Sequence, residues 1–343
     1  MIQAPAHDFD LPFTRTLLKE ARARMETYPQ GLDVELRTTH LDSSSRSARR
    51  YLDLLSRIEP GSTDLVRWGR FVAEAKAALF TFARRPERNR WLLLDVEHTL
   101  REPPPTDALY LRNWLPGFWH ALATRDARSL ALLVQVPPTL MPPWEPFDRP
   151  LLQALQGLIT RDPQTGALLV QALEAVDPEK TTRTRSDFLL DILAPIFECL
   201  GPLADRDQAR FAQGLTKLLG LRRKHFASGG EGEEGEQHLS LEGVGLTAWA
   251  KALGFEVAVR SPYLPSALLE VEEPDFEVCP DCATPASGSC PACGRAIGDD
   301  CLEFDLGGWL ALDRDGCHSC GHRFPVLART CPVCLTLRGR EAE

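Results

Sequence analysis

The first 278 residues of this 343-residue chain contain one cysteine, Cys199, although the sequence has ten. A disulfide-stapled secreted scaffold would distribute them along the chain, so the long N-terminal part must fold on its own core. Apolar runs are short: none reaches the roughly 18 residues a membrane helix needs. The first residues, MIQAPAHDFDLPF, show no basic segment followed by an apolar stretch. These absences predict a cytoplasmic protein with no membrane partner. Positive charge is in deficit, with 39 Lys+Arg against 48 Asp+Glu and a net charge of −9. That balance disfavours a non-specific grip on nucleic acid, whose affinity rests on neutralised phosphates, and it suits a basic protein partner.

Catalytic signatures are missing too. The chain has no His-Glu-x-x-His, no Gly-x-x-x-x-Gly-Lys and no Gly-x-Ser-x-Gly. Gly243-Val244-Gly245 follows no predicted strand and so opens no dinucleotide fingerprint. Glu97 and His98, with His120 farther on, are the best acid/base candidates. Glu97 and His98 lie in a polar, proline-bounded stretch with no visible third member and read as solvated surface. Trp68, Trp91, Trp114, Trp119 and Trp249 sit at helical spacing among Leu and Ala and read as core, as does Cys199. The expectation is a protein that is not an enzyme.

What is present is helical periodicity. With 43% hydrophobic and 25% charged residues, the composition is that of an ordinary globular protein. Apolar spacing predicts helices over 12–28, 46–58, 62–84, 106–123, 126–135, 147–160, 164–176, 185–200, 205–227 and 239–254. Asp162-Pro163, Asp177-Pro178 and Gly201-Pro202 read as short links, and Gly254 as a C-cap. The stretch 90–105, ending in three prolines, suits an extended segment or hairpin, and 255–260 alternates like a strand. Residues 228–237, SGGEGEEGEQ, form a solvated loop. No repeat of fixed period is visible. The predicted fold is mainly α: a multi-helix body over 1–274 with a short β element, and a small C-terminal module over 275–343.

That module carries the strongest motif. Four Cys-x-x-Cys knuckles, Cys279/Cys282, Cys290/Cys293, Cys317/Cys320 and Cys331/Cys334, supply eight thiolates. Two residues between cysteines let both sulfurs of a tight turn reach one ion, and two such turns close a tetrahedral site. The expectation is two zinc ions per chain in closed four-thiolate sites, with iron the minor alternative. Sequential pairing of knuckles is favoured over nested pairing. Cys301, His318 and His322 read as surplus to the ligand set. The tail resembles a double zinc ribbon. Residues 279–343 hold six Arg, no Lys and nine Asp/Glu, so protein contact is the better reading than nucleic acid.

Two segments of the body carry a resemblance. NWLPGFWHALATRDARSLALLVQVP, residues 113–137, places Trp114-Leu115, then Phe118-Trp119, then an Arg125-Asp126 turn into a Leu-rich helix ending at Val136-Pro137. VGLTAWAKALGFEVAVRSPYLPSALLE, residues 244–270, ends a small-residue helix in a short strand, Tyr263-Leu264-Pro265 and Leu268-Leu269. Together with the Ala-rich stretch 62–84, these resemble the Imm49 family of bacterial immunity proteins over about residues 45–272. The tail and the loop 228–237 depart from that pattern. The resemblance implies inhibition of a cognate toxin by occlusion; the ribbon, outside the family pattern, is expected to add protein contacts. A basic toxin such as a nuclease would suit the acidic balance. The alternative is a zinc-ribbon adaptor docking on a larger cellular machine through the tail.

Overall fold

The computed structural model describes residues 2–3, 11–31, 35–87, 89–160, 162–230, 237–271, 276–278 and 302–304. In chain order, β1 (Ile2–Gln3) precedes α1 (Leu11–Gly31), then β2 (Glu35–Leu36), α2 (Thr38–Ile58) and α3 (Asp64–Arg84). The hairpin β3 (Arg90–Leu93) and β4 (Val96–Leu100) leads into α4 (Leu111–Ala123) and α5 (Ala127–Val134). There follow α6 (Asp148–Thr160), α7 (Thr165–Ala175), α8 (Ser186–Phe188), a π-turn (Leu189–Leu193), α9 (Ala194–Asp205) and α10 (Gln208–Ala227). The body ends with α11 (Leu241–Ala252), β5 (Val259–Arg260) and α12 (Ser266–Leu269). The protein is mainly helical, as its periodicity predicts.

The centre of the body is built on α4 and α11. From Leu241 to Ala250 every residue of α11 is buried, the mark of a helix apolar on all sides. Its small residues let neighbours approach: a Cβ at Gly245 would lie 2.9 Å from the Trp119 ring of α4. On the other side of α4, a Cβ at Gly117 would lie 2.5 Å from the Lys76 stem of α3. All five tryptophans read as core are buried, and so is Cys199.

The stretch 90–105 resolves as a hairpin. Leu93 pairs with Val96 across a two-residue turn in which Leu94 and Asp95 have φ of 48° and 65°. Both turn positions need positive φ, usually a job for Asn or Gly. Here Leu94 packs on the core and its N–H donates to Glu74 Oε2 at 2.9 Å. Strand β2 adds parallel to β4, giving the order β2-β4-β3.

Among the helix ends closed by a backbone bond to the carbonyl five residues back, three do so through an aspartate. The N–H groups of Asp126, Asp162 and Asp207 each donate to the carbonyl five residues back, at 2.8–2.9 Å. That is the longer bond of a Schellman ending. Arg125 and Arg206 occupy the left-handed position before it, at φ 55° and 58°. Asp126 and Asp207 then cap the next helix, accepting from the N–H of Ser129 and Arg210 at 3.1 and 3.0 Å. The three corners are unevenly spaced along the chain, in keeping with the lack of a fixed repeat.

Several boundaries differ from expectation. Helix α2 starts at Thr38, not 46, because Thr38, Ser44 and Ser45 share its buried side. Their polarity hides the stripe from a hydropathy reading, while the Ser44 and Ser45 hydroxyls donate to carbonyls of their own helix. The helix expected from 106 is a 3-10 turn over Thr106–Ala108, and α4 begins at Leu111. Gly201-Pro202 is no link: α9 runs through it to Asp205. Pro202 offers no N–H to the carbonyl of Glu198, which instead faces Gly214 of α10, where any Cβ would strike it. Of the strand expected over 255–260, only Val259 and Arg260 pair, in parallel with Ile2 and Gln3. Most of the Gly/Glu loop and nearly all of the C-terminal module lie outside the described residues. Within that module the backbone of Phe276–Val278, β6, pairs antiparallel with Leu302–Phe304, β7.

Candidate functional site

The eight expected zinc ligands, Cys279, Cys282, Cys290, Cys293, Cys317, Cys320, Cys331 and Cys334, lie outside the described residues, as do Cys301, His318 and His322. Among the described residues no three His, Cys, Asp or Glu side chains gather as a metal site. No described helix is long and apolar enough to cross a membrane.

The acid/base candidates are not brought together. Adjacent residues of a strand point to opposite faces. Glu97 is exposed on β4, whereas His98 is 2% exposed and buried. The reading of His98 as solvated surface is therefore corrected: the pleat turns it inward. His120 is buried on α4, and its Nδ1 has no hydrogen-bond partner among the described residues. Burial, with Arg49 and Lys76 nearby, lowers its pKa to about 3. Such an imidazole stays neutral and is a core group. The Cys199 thiol is pushed up by burial, which removes the reactive thiolate.

A buried polar cluster joins α2, α3 and α4. The Lys76 ammonium, with no exposed surface, donates to Asp42 Oδ1 at 2.6 Å and Asn113 Oδ1 at 2.5 Å. Burial lowers its pKa to about 8, against the opposing pull of Asp42. A second buried pair, Arg222 to Glu242 at 2.5 Å, ties α10 to α11. Its guanidinium also donates to the Leu239 carbonyl at 2.7 Å. Each charge has its partner, so both clusters read as structural.

A different assembly reaches the surface beside the start of α4. Tyr110, just before that helix, stacks on Trp144 with centroids 4.1 Å apart and planes 9° from parallel. Arg183 lies over the same indole at 4.8 Å. Two residues after Tyr110, Arg112 lies over the Phe188 ring at 4.8 Å. The supporting loops are clamped by carboxylates. Glu145 accepts the N–H groups of Thr182, Arg183 and Thr184 at 3.0, 2.7 and 2.6 Å. Burial pushes its pKa up, but these bonds outweigh burial and hold it below the usual range. Asp148 accepts the N–H groups of Trp144 and Glu145 at 2.8 and 3.0 Å. Next to Phe188 the π-turn displays Leu190, 50% exposed. Single π-turns are frequent at functional positions. Beside them lies a cleft of about 60 Å³ lined by Arg112, Leu115, Phe147, Phe188, Ile192 and Ile196.

The sequence reading missed this surface. The proline-flanked Trp144 sits outside any periodic pattern, and the residues converge from three separate stretches. Their types were the available signal, since Trp, Tyr and Arg concentrate at the energetic centres of interfaces.

No curated protein and no solved structure matches the chain. A family model described as Immunity protein 49, Imm49, matches residues 59–268. That span runs from the turn before α3 into α12 and contains α4, α11, the corners and the arginine–aromatic surface. With more than half of its length matched, and with both resembling segments inside or nearly inside the matched span, the chain belongs to the Imm49 family of immunity proteins.

Proposed function

We propose that this protein protects its cell by binding a cognate toxin and covering the toxin's working surface. Family membership carries the reading: an Imm49 protein has a toxin-immunity role, and its partner is a toxin. Immunity families of this kind are generally non-enzymatic, so the helical body serves as a rigid binding partner. The excess of acidic residues favours a basic toxin through long-range attraction, which raises the association rate. The four Cys-x-x-Cys knuckles support a tail with two zinc ions, added to the family body as an extra contact module.

The test is co-expression with the toxin domain encoded at the same locus. Restored growth and a stoichiometric complex are expected. A toxin that stays fully active beside a molar excess of the protein removes the reading.

A further inference from the structure

We propose that the arginine–aromatic surface is where the toxin is gripped, and that the toxin presents carboxylates to Arg112 and Arg183 and an apolar side chain to the cleft beside Phe188. This rests on the immunity reading and supplies what that reading leaves open, the surface and the local chemistry of the partner.

The first argument is charge. Among the described residues, no carboxylate comes within 4.0 Å of the Arg112 or Arg183 guanidinium. Asp148 feels Arg112 only through space, without contact. Both arginines lie in a chain with nine more acidic than basic residues. Nearby Arg185, by contrast, is neutralised by Asp187, with N–O distances of 3.1 and 3.0 Å. Two guanidinium groups that no described carboxylate contacts, in an acidic protein, are available to an acceptor from outside.

The second argument is geometry. A guanidinium laid on an aromatic ring keeps its edge free, and that edge matches a carboxylate through two parallel hydrogen bonds. The stacking has already restricted the long side chain, so less freedom is lost on binding. The platform is equally prepared. Glu145 fixes the backbone at 182–184, Asp148 fixes Trp144, and Tyr110 backs the indole.

The third argument is the neighbouring apolar feature. A cleft of about 60 Å³, walled largely by Leu115, Phe147, Phe188, Ile192 and Ile196, takes a small apolar side chain. An apolar anchor surrounded by charge-assisted hydrogen bonds is the composition of an interface centre. Nucleic acid is disfavoured as the occupant, because two isolated arginines on a chain of net charge −9 do not make a phosphate-tracking stripe. Net negative charge and a local cationic grip are compatible: the first acts at long range on the rate, the second at contact on register and selectivity.

The experiment measures binding of the full-length protein to its locus-encoded toxin domain, together with growth rescue. The variants are Arg112→Ala, Arg183→Ala and the double Arg112→Glu/Arg183→Glu, with Arg90→Glu on the β3–β4 hairpin as a control. Far-UV signal and thermal midpoint report folding in each. Each alanine is expected to weaken binding about 10-fold or more, and the double glutamate at least about 1,000-fold, with loss of rescue. The Arg90 variant should bind like the parent. Parent-like binding by the folded double variant overturns this inference and leaves the immunity reading standing. Equal losses in the Arg90 variant overturn it too, since the effect is then general charge. A parent chain that does not bind the toxin at all removes both.

Discussion

Lys76 and Asp42 form an ion pair of 2.6 Å inside the body, on α3 and α2, with the lysine wholly buried. Removing a charge from water is costly, and the pair repays that cost only while both members are present. Asp42→Asn is therefore expected to cost about 3 kcal/mol, because it leaves the ammonium without its counter-charge. Lys76→Met, which removes the charge and keeps the bulk, should cost clearly less. Urea unfolding midpoints decide between them, and a reversed order contradicts the account.

Two buried groups give stability an opposed dependence on pH. Burial keeps His120 neutral and lowers its pKa from 6.5 to about 3. Burial and the nearby Asp126 raise that of Glu74 from 4.5 to about 8. The unfolded chain takes up a proton on the histidine that the folded chain refuses, so this contribution to stability is lost as pH falls from 6.5 towards 3. The folded chain retains a proton on Glu74 that the unfolded chain releases, so that contribution is lost as pH rises from 4.5 towards 8. Each slope is at most about 1.4 kcal/mol per pH unit. Glu74→Gln should flatten the loss above pH 6.5, where His120 no longer opposes it. An unchanged slope in denaturant titrations of that variant would count against the assignment.

Glycine positions should separate sharply. Gly214 faces the Glu198 carbonyl, and any Cβ there collides with backbone. Gly214→Ala is expected to destabilise by about 2 kcal/mol or more. Gly201, within α9 with nothing near its would-be Cβ, should gain about 0.5–1 kcal/mol on substitution by Ala. Thermal unfolding of the two variants tests both signs.

Glu145 is buried against three backbone N–H groups and touches no candidate contact atom. Glu145→Ala should free the segment carrying Arg183 and lower stability by about 2 kcal/mol. It should also weaken toxin binding by raising the dissociation rate. Faster amide exchange confined to Thr182–Thr184 is the signature. Unchanged exchange there would show that the clamp is dispensable.

Two zinc ions per chain are expected in the tail. Chelation should remove them with little loss of helical signal, because the body has its own core. Metal analysis of reduced protein giving fewer than one ion per chain would refute the four-thiolate sites.

The helices were legible because their apolar spacing repeats every three to four residues within a short stretch. That signal placed α1, α3, α5, α6 and α7 to within a few residues, and the proline-bounded run at 90–105 allowed the hairpin. It failed at α2, where serines and a threonine face inward, and at Pro202, which α9 carries in its interior with the Glu198 carbonyl facing Gly214 of α10. The segments 113–137 and 244–270, read as Imm49-like, fall almost wholly inside the matched span.

Local spacing along the chain thus determined the helical class and allowed the hairpin, and the motifs at 113–137 and 244–270 carried the family resemblance. Tertiary structure alone turned His98 inward, set Lys76 against Asp42 and brought Tyr110 and Arg183 onto the Trp144 ring. The physical reason is range. A helix pattern is set by neighbours four residues apart, whereas these side chains meet only after helices distant in sequence have packed, and that packing lays Arg112 and Arg183 on aromatic rings.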